Sequence, residues 1–361
     1  MRQLWDMNDA VDGGLRTLEW MALTRMPQRG PVGYRQALEE ASWGEVWSRS
    51  ATPAIREGWL QWADNMAQAH VEMGARVVTW EHGDYPRPLA EIFDAPPVLY
   101  VRGERQAWQA PVVAVVGTRR CSDDAARWAY RMGRALAESG ITLATGGAMG
   151  IDIAAVKGAL QGGGRVIWCL AEGLDRVSPS ANRRWAEASL ERGAWLTEFP
   201  LGTLARPWRF AHRNRIVVGL SRSVVLVQSP ADGGGMISAR CALQYNRNLA
   251  VRMPPDNAPR WAGNHQWLQE NPRMQVRDPY DWVASQGFLL PAAPAPDVPE
   301  PLQPLWEELL GSSGRTPLDL CAALGVDEWA LRHQLLVLEL QGRVRSVPGG
   351  TYLAIEPSGI S

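Results

Sequence analysis

The sequence has few cysteines and no long apolar run, and each shortage excludes a class of protein. The four cysteines, Cys121, Cys169, Cys241 and Cys321, are far apart, and none belongs to a Cys-x-x-Cys pair. A disulfide framework and a structural zinc site are therefore not expected, and a reduced, cytoplasmic protein is predicted. No apolar run is long enough to cross a bilayer, so no membrane association is predicted either.

The chain also lacks an excess of charge of either sign. Its 37 cationic and 38 acidic side chains leave a net charge of −1, so any attraction to nucleic acid must come from a local surface. Lys157 is the only lysine, and all other cationic residues are arginines. Arginine presents a planar fork of donors that suits bidentate contacts with phosphate.

Two familiar phosphate-binding motifs are missing as well. The glycine after the first apolar strand, Gly117, is not followed by the second and third glycines of the dinucleotide fingerprint. The Gly-Lys-Ser/Thr sequence of nucleoside triphosphate loops is absent too. We therefore predict no cofactor.

Apolar strands and helices alternate strictly in the middle of the chain. Strand Val112–Val116 is followed by helix Asp123–Glu138, strand Ile141–Ala144 and helix Ile151–Leu160. Four further strands follow, again separated by helices, and helix Arg213–Leu220 precedes one of them. Near-continuous apolar strands separated by helices are typical of a parallel sheet that is covered on both faces, so an α/β fold is predicted.

Two other kinds of segment flank this sheet. Residues 1–73 contain helical patterns and predict a small helical domain that contacts either the DNA backbone or another protein, and the sheet domain covers 74–288. A proline-rich linker at 289–304 separates the sheet from a C-terminal domain at 305–361. There, helices over Leu305–Leu310, Pro317–Leu324 and Glu328–Gln341 precede a hairpin of Gly342–Val347 and Thr351–Ala354, which is a winged-helix pattern.

Three loops at the carboxyl ends of the strands carry groups suited to phosphate. The first offers Gly117, Thr118 and Arg119, and the second and third are glycine-rich turns that lead into helices. Glycine amides at a helix N-terminus favour an anion, so both turns predict phosphate binding. The residues concerned are Gly146, Gly147 and Gly150 in the second loop, with Asp152 in the following helical turn, and Gly234 and Ser238 in the third.

The segment Ala205–Ser223 is the most cationic part of the chain. It holds five arginines, one histidine and no acid, and Trp208 and Phe210 are interleaved with the arginines. Single-stranded nucleic acid requires cations for its backbone and flat surfaces for its bases, so this segment favours such a ligand. Arg209, Arg213 and Arg215 are the predicted phosphate contacts, and replacing Arg213 or Arg215 with alanine is expected to weaken single-strand binding.

Six segments in order resemble the DNA-processing protein A family, also called DprA or Smf. They are VGTRR, TGGAMGID, EGLDRVSPSAN, TEFP, RFAHRNRIVVGLS and GGGMISA. The resemblance is strong between Gly74 and Val283, and it extends to the helical domain before the sheet and the winged helix after it.

This resemblance implies an extended Rossmann-like fold that binds single-stranded DNA without an established catalytic activity. It also implies a homodimer that loads a RecA-type recombinase onto incoming strands during natural transformation. The residues that it places in or beside the DNA pocket are Arg119, the Gly146–Gly150 loop, Lys157, Arg213 and Arg215. Asn182, Glu198 and Asn214 are expected to brace the loops of that pocket.

Two alternative functions belong to other classes of protein, an enzyme and a DNA-linked regulator. A nucleoside monophosphate phosphoribohydrolase would use Glu198 or Asp152 as its acid or base, although the acid expected after the third glycine turn is missing. A DNA-linked regulator would act through the winged helix. The helices of that domain carry Asp319, Asp327, Glu328 and Glu339 against Arg332, which favours a protein contact over groove reading.

Overall fold

The structure is a computed structural model that describes residues 13–26, 30–287, 300–309, 314–340, 344–347 and 350–354. The chain divides into two compact units, Met1–Leu289 and Leu290–Ser361. The domain boundary after residue 73 stays a prediction. So does the linker at 289–304, whose residues 289–299 lie outside the described part of the chain.

The described part of the first unit begins with four helices: α1 (Gly13–Leu23), α2 (Pro31–Glu40), α3 (Trp43–Ser50) and α4 (Pro53–Glu72). Aromatic contacts hold them together, because the rings of Trp20 and Trp43 lie 4.3 Å apart. His70 stacks on Tyr100 of the sheet at 4.3 Å. The helices thereby share one apolar core with the sheet.

The strands form one nine-stranded sheet in the order β1-β2-β6-β5-β4-β3-β7-β8-β9. They are β1 (Ala75–Thr79), β2 (Val98–Gly103), β3 (Val112–Val116), β4 (Thr142–Thr145), β5 (Val166–Cys169), β6 (Ala194–Thr197), β7 (Ser223–Leu226), β8 (Asn248–Arg252) and β9 (Gln275–Val276). Strands β3 to β9 pair in parallel. β2 runs antiparallel to β1 and β6 at one edge.

Helices cover both faces of this sheet. They are α5 (Arg87–Ala90), α6 (Gln106–Gln109), α7 (Asp123–Glu138), α8 (Ile151–Gln161), α9 (Arg183–Ser189), α10 (Pro207–Leu220), α11 (Gly234–Gln244), α12 (Ala262–Glu270) and α13 (Pro279–Ser285). Alternate residues of β3 enter different cores: Val113 and Val115 pack with α7 and α8, whereas Ala114 packs with α10 and α11. This arrangement confirms the predicted α/β fold.

Local signals account for the elements that were predicted correctly. Helix α7 has its predicted bounds because the Ser122 hydroxyl accepts a hydrogen bond from Ala125 N at 3.2 Å and caps its start. Gly140 follows its end with a φ of 66°. β3 has its predicted bounds too, and all five of its residues are buried.

Helix α10 corrects one prediction, because it begins at Pro207 rather than at Arg213. Proline is favoured at the first position of a helix, where its fixed φ suits the helix and its missing N–H is not needed. Most of the cationic segment Ala205–Ser223 is therefore helical, and its side chains point in directions set by the helix.

The described residues of the second unit form three α-helices and a pair of antiparallel strands, as the winged-helix pattern predicts. Its elements are α14 (Gln303–Leu309), α15 (Pro317–Leu324), α16 (Glu328–Leu340), β10 (Val344–Val347) and β11 (Thr351–Ala354). Buried leucines such as Leu305 and Leu335 form its core. Leu310 and residues 341–343, which were assigned to the helix ends and the hairpin, lie outside the described residues.

The described residues contain neither a membrane span nor a cluster of metal ligands. Within them, no helix is both long and apolar enough to span a membrane. The same part of the chain contains no group of three or more His, Cys, Asp or Glu residues that could hold a metal ion.

Candidate nucleic-acid interface

The strand order reverses at β3, which places a crevice at the carboxyl edge of the sheet. β3 pairs with β4 on one side and with β7 on the other. The loops that follow β3 and β7 lead to helices on opposite faces, and ligands of open α/β sheets bind where such loops separate. The site is built from these loops and from the two segments that pack on them.

The loop after β3 touches both neighbouring glycine turns. Thr118 N donates to Gln228 O at 2.8 Å, which joins this loop to the end of β7. A Cβ on Gly235 would lie 3.2 Å from the Cα of Gly117, and a Cβ on Gly117 would lie 2.6 Å from Ile151. Glycine is thus required where the three loops approach one another.

The loop between β4 and α8 is held in place by hydrogen bonds. Asn182 donates from Nδ2 to Gly147 O at 2.9 Å, and Ile151 N donates to Thr118 O at 3.3 Å. Gly150 has a φ of 80°, and a Cβ there would lie 2.4 Å from Thr118 O. The backbone therefore reaches α8 in a conformation that only glycine adopts without strain.

Arg213 is buried beneath this loop. Its Nη1 donates to Gly146 O at 2.6 Å and also to Cys169 O at the end of β5. Burial lowers the pKa of Arg213 below its usual range, and nearby Cys169 and Asp152 partly offset the effect. Arg213 therefore fastens α10 to two loops of the sheet edge, while part of its side chain borders the site.

Arg215 is buried as well, but it belongs to a different cluster. Its Nη2 donates to Glu198 Oε2 at 2.5 Å, and Nη1 donates to Asp94 O. His212 Nε2 lies 3.4 Å from Glu198 Oε1. The Glu198 carboxylate is thus bound by Arg215, and this ion pair links the end of β6 to α10.

The loops and α10 surround a cavity of 420 Å³, which we call the loop cavity. It is lined by Val116, Gly117, Thr118, Arg119, Arg120, Ala148, Asp152, Pro207, Phe210, Ala211, Arg213, Asn214, Gly234, Gly235, Ile237 and Ser238. The N-termini of α8 and α11 both border it, and Arg119 and Arg120 are exposed. Three guanidinium groups and two positive helix N-termini border the cavity, and Asp152 is the one carboxylate in its lining. The balance of charge therefore suits an anion.

The lining carboxylate, Asp152, is buried in the first turn of α8. Its Oδ2 accepts a hydrogen bond from Ala148 N at 3.3 Å. Burial raises the pKa of Asp152 to about 6, although the neighbouring Arg213 cation acts in the opposite direction. The carboxyl group therefore takes up a proton at a much higher pH than an ordinary aspartate does.

The structure brings together some predicted site residues and leaves others elsewhere. Gly117, Thr118, Arg119, Asp152, Arg213, Asn214, Gly234 and Ser238 line the loop cavity. Gly146, Gly147 and Gly150 belong to the loop between β4 and α8, and Asn182 donates a hydrogen bond to that loop. Arg215 and Glu198 form their own pair. Lys157 lies exposed on α8 with its Nζ 5.3 Å from the Trp185 ring centroid. The binding roles of all these residues stay predictions.

Sequence reasoning missed several lining residues. Arg120 directly follows Arg119 and was part of the same motif. Pro207 borders the cavity because it lies on the same helix as Phe210 and the predicted Asn214, and the spacing of these three residues by three and four positions is the available signal. Starting α10 at Arg213 had concealed that signal.

Comparison with known proteins gives two matching family models. The model for DNA recombination-mediator protein A matches residues 76–285, and the model for the DprA winged helix domain matches residues 290–350. Protein Smf of Escherichia coli is 36% identical over 278 residues, which cover 74% of this chain and 74% of that protein. DNA processing protein DprA of Streptococcus pneumoniae is 35% identical over 46% of this chain and 58% of that protein.

Solved structures agree with these matches. The crystal structure of DprA from Streptococcus pneumoniae has a TM-score of 0.62 at 26% identity, and the match covers 74% of this chain and 97% of that one. DprA from Helicobacter pylori has a TM-score of 0.53 at 27% identity, with 58% and 95% covered. The Helicobacter structure is described as an insight into the single-stranded DNA binding mode of that protein.

Proposed function

The chain belongs to the DNA recombination-mediator protein A family, and from that membership we propose that it binds single-stranded DNA in the loop cavity. The observation that carries the proposal is the cavity itself, where exposed Arg119 and Arg120 stand beside two helix N-termini. Such a surface recognises the phosphate chain, which supplies most of the sequence-independent affinity for nucleic acid. The described binding mode of the Helicobacter relative supports the same ligand.

The finer role that we propose is delivery of the strand to a RecA-type recombinase. The name of the matching family model, a recombination mediator, supports this role. We further propose that the protein acts as a cytoplasmic homodimer and without catalysis. Of the two candidate acids of a phosphoribohydrolase, Glu198 is bound by Arg215 outside the cavity lining, whereas Asp152 lines the cavity and accepts a hydrogen bond from Ala148 N. The proposal of binding without catalysis therefore rests on the family membership and on the position of Glu198.

Arg119 is a sharper test of the proposal than the two buried arginines. Replacing Arg213 would remove the donors to Gly146 O and Cys169 O, so its effect would combine folding with binding. Arg119 is exposed and its guanidinium lies 5.4 Å from the centroid of the Phe210 ring. Its removal therefore changes the charge of the cavity without breaking a buried hydrogen bond.

We expect Arg119→Ala to weaken binding of an oligothymidylate several-fold. A salt titration should show the slope of log K against log salt reduced by about 0.7, which corresponds to one lost phosphate contact on a single strand. Arg105→Ala is the matched control, because Arg105 is exposed near the opposite end of the sheet, beside Val112 and Arg222. Unchanged affinity and slope in Arg119→Ala would exclude the loop cavity as the DNA site.

A further inference from the structure

Trp208 presents an unusually open aromatic ring beside the loop cavity. It lies in the first turn of α10, and 57% of its surface is exposed. Its helical neighbours Pro207 and Phe210 line the cavity. A large apolar ring is thus left in solvent next to a cationic pocket.

The ring is also held in position by its neighbours. The Arg209 guanidinium lies 5.1 Å from the Trp208 ring centroid. Phe199 and His212 approach at 6.5 Å and 6.2 Å, both in edge-to-face geometry. These contacts limit the orientations of the side chain, so little conformational entropy is lost when a ligand packs against it.

The structure separates the two aromatic residues of the cationic segment. Phe210 is half-buried in the cavity wall, where Arg119 lies 5.4 Å from its ring centroid. Trp208 lies outside the lining and keeps more than half of its surface free. A base that projects out of the cavity would contact Trp208, whereas a phosphate inside the cavity would contact Arg119.

We propose that Trp208 is a stacking surface for a nucleobase of the strand whose phosphates occupy the loop cavity. The proposal rests on the proposed function and deepens it, because it makes the site selective for base-bearing chains over bare polyanions. Every base has a flat π face, so the selectivity does not depend on the nucleotide sequence. Phosphate contacts alone would not provide it.

The experiment measures affinity of the full chain for two ligands of equal length at one salt concentration. One ligand is an oligothymidylate, and the other is a chain of abasic deoxyribose phosphates. We expect Trp208→Ala to weaken oligothymidylate binding by about tenfold and abasic binding by less than about twofold. Trp208→Phe should keep most of the oligothymidylate affinity, because phenylalanine also offers a stacking face.

Two control variants distinguish this inference from the proposed function. Trp329→Ala removes a tryptophan that is 79% exposed in the second unit, and it should change neither affinity. Arg119→Ala should weaken binding of both ligands. If Trp208→Ala weakens both equally, or neither, the stacking role is wrong while the cavity remains the DNA site. If the wild-type chain binds neither ligand, the proposed function fails and the stacking role fails with it.

Discussion

At the residue scale, burial separates the arginines that hold the loops of the site together from the arginine that is available to a ligand. Arg213 and Arg215 are each 3% exposed, and both donate to carbonyl oxygens. Breaking the buried ion pair of Arg215 with Glu198 destabilises the fold by about 3–5 kcal/mol, and removing Arg213 leaves the carbonyl oxygens of Gly146 and Cys169 without this donor, so both arginines hold the loops together. Arg119 has no such burial and is available to a ligand.

Asp152 should make the stability of the first unit depend on pH. Its pKa is raised from 3.8 to about 6 by burial, so between these values the folded chain holds a proton that the unfolded chain has released. The free energy of unfolding therefore falls as pH rises through this range, by about 3 kcal/mol from this group. About 2 kcal/mol of this fall lies between pH 4.5 and pH 7.5, and we expect Asp152→Asn to lose it when urea unfolding is measured at these two values.

The control for this measurement is Asp256→Asn. The pKa of the exposed Asp256 is lowered below 3.8, chiefly by a hydrogen bond from Ala258 N, so its titration lies below the range tested. This variant should retain the pH dependence of the wild-type chain. An Asp152→Asn protein that shows the wild-type fall would mean that another group carries the proton.

At the scale of elements, the packing of α7 on α8 positions the second loop. The two helices approach so closely that a Cβ on Gly133 would lie 2.0 Å from Ala155 O, and one on Gly158 would lie 1.9 Å from Tyr130 O. Both obstacles are backbone atoms, which cannot rotate away. Asp152, in the first turn of α8, lines the loop cavity. The contact between α7 and α8 therefore also sets the position of this part of the cavity wall.

We expect Gly133→Ala to lower the free energy of unfolding by about 3 kcal/mol, since the added methyl group must push the helices apart. Urea denaturation of the full chain measures the effect on the first unit. Gly58→Ala is the matched control: Gly58 lies in α4 with no atom within 4 Å of an added Cβ, and the substitution should stabilise by about 0.5–1 kcal/mol. Equal stabilities of Gly133→Ala and the wild-type chain would contradict the close contact.

The elements also show how far sequence reasoning extends. β3 and α7 were predicted with their observed bounds, because a run of small apolar residues and a serine cap are local signals. α12, α13 and β9 were not predicted. Of these, β9 has only two residues and is defined by its pairing with β8. Long-range pairing of this kind leaves little trace in a short segment.

The same limit applies to the site. The loops after β3 and β7 were predicted to share one edge, because parallel strands place their carboxyl ends together. The burial of Arg213 and Arg215 was not predicted, since a cluster of charges indicates a surface. Only the folded chain supplies the carbonyl groups of Gly146 and Cys169 and the Glu198 carboxylate that make burial of these cations possible.

At the scale of the whole molecule, the candidate site belongs to one of the two units. Every residue that lines the loop cavity lies between Val116 and Ser238, within the unit Met1–Leu289. Both apolar cores of the sheet also lie within this unit. A chain that ends at Leu289 therefore contains all the groups that the proposed binding uses.

The described helices of the second unit offer little for a phosphate chain. Arg332 is paired with Glu328 at 2.6 Å, and Asp319 accepts a hydrogen bond from Thr316 in a capping box. Acidic side chains repel phosphate, so this unit suits a protein contact better than a DNA contact. The two units are thus predicted to have separate roles.

We expect a chain truncated after Leu289 to bind oligothymidylate within about twofold of the full-length affinity and with the same salt slope. The matched control is the fragment Leu290–Ser361, which should bind neither single-stranded nor double-stranded DNA in the same titration. A large loss of affinity on truncation, together with a lower slope, would show that the second unit supplies phosphate contacts. Binding of duplex DNA by the isolated fragment would instead identify a groove-reading winged helix.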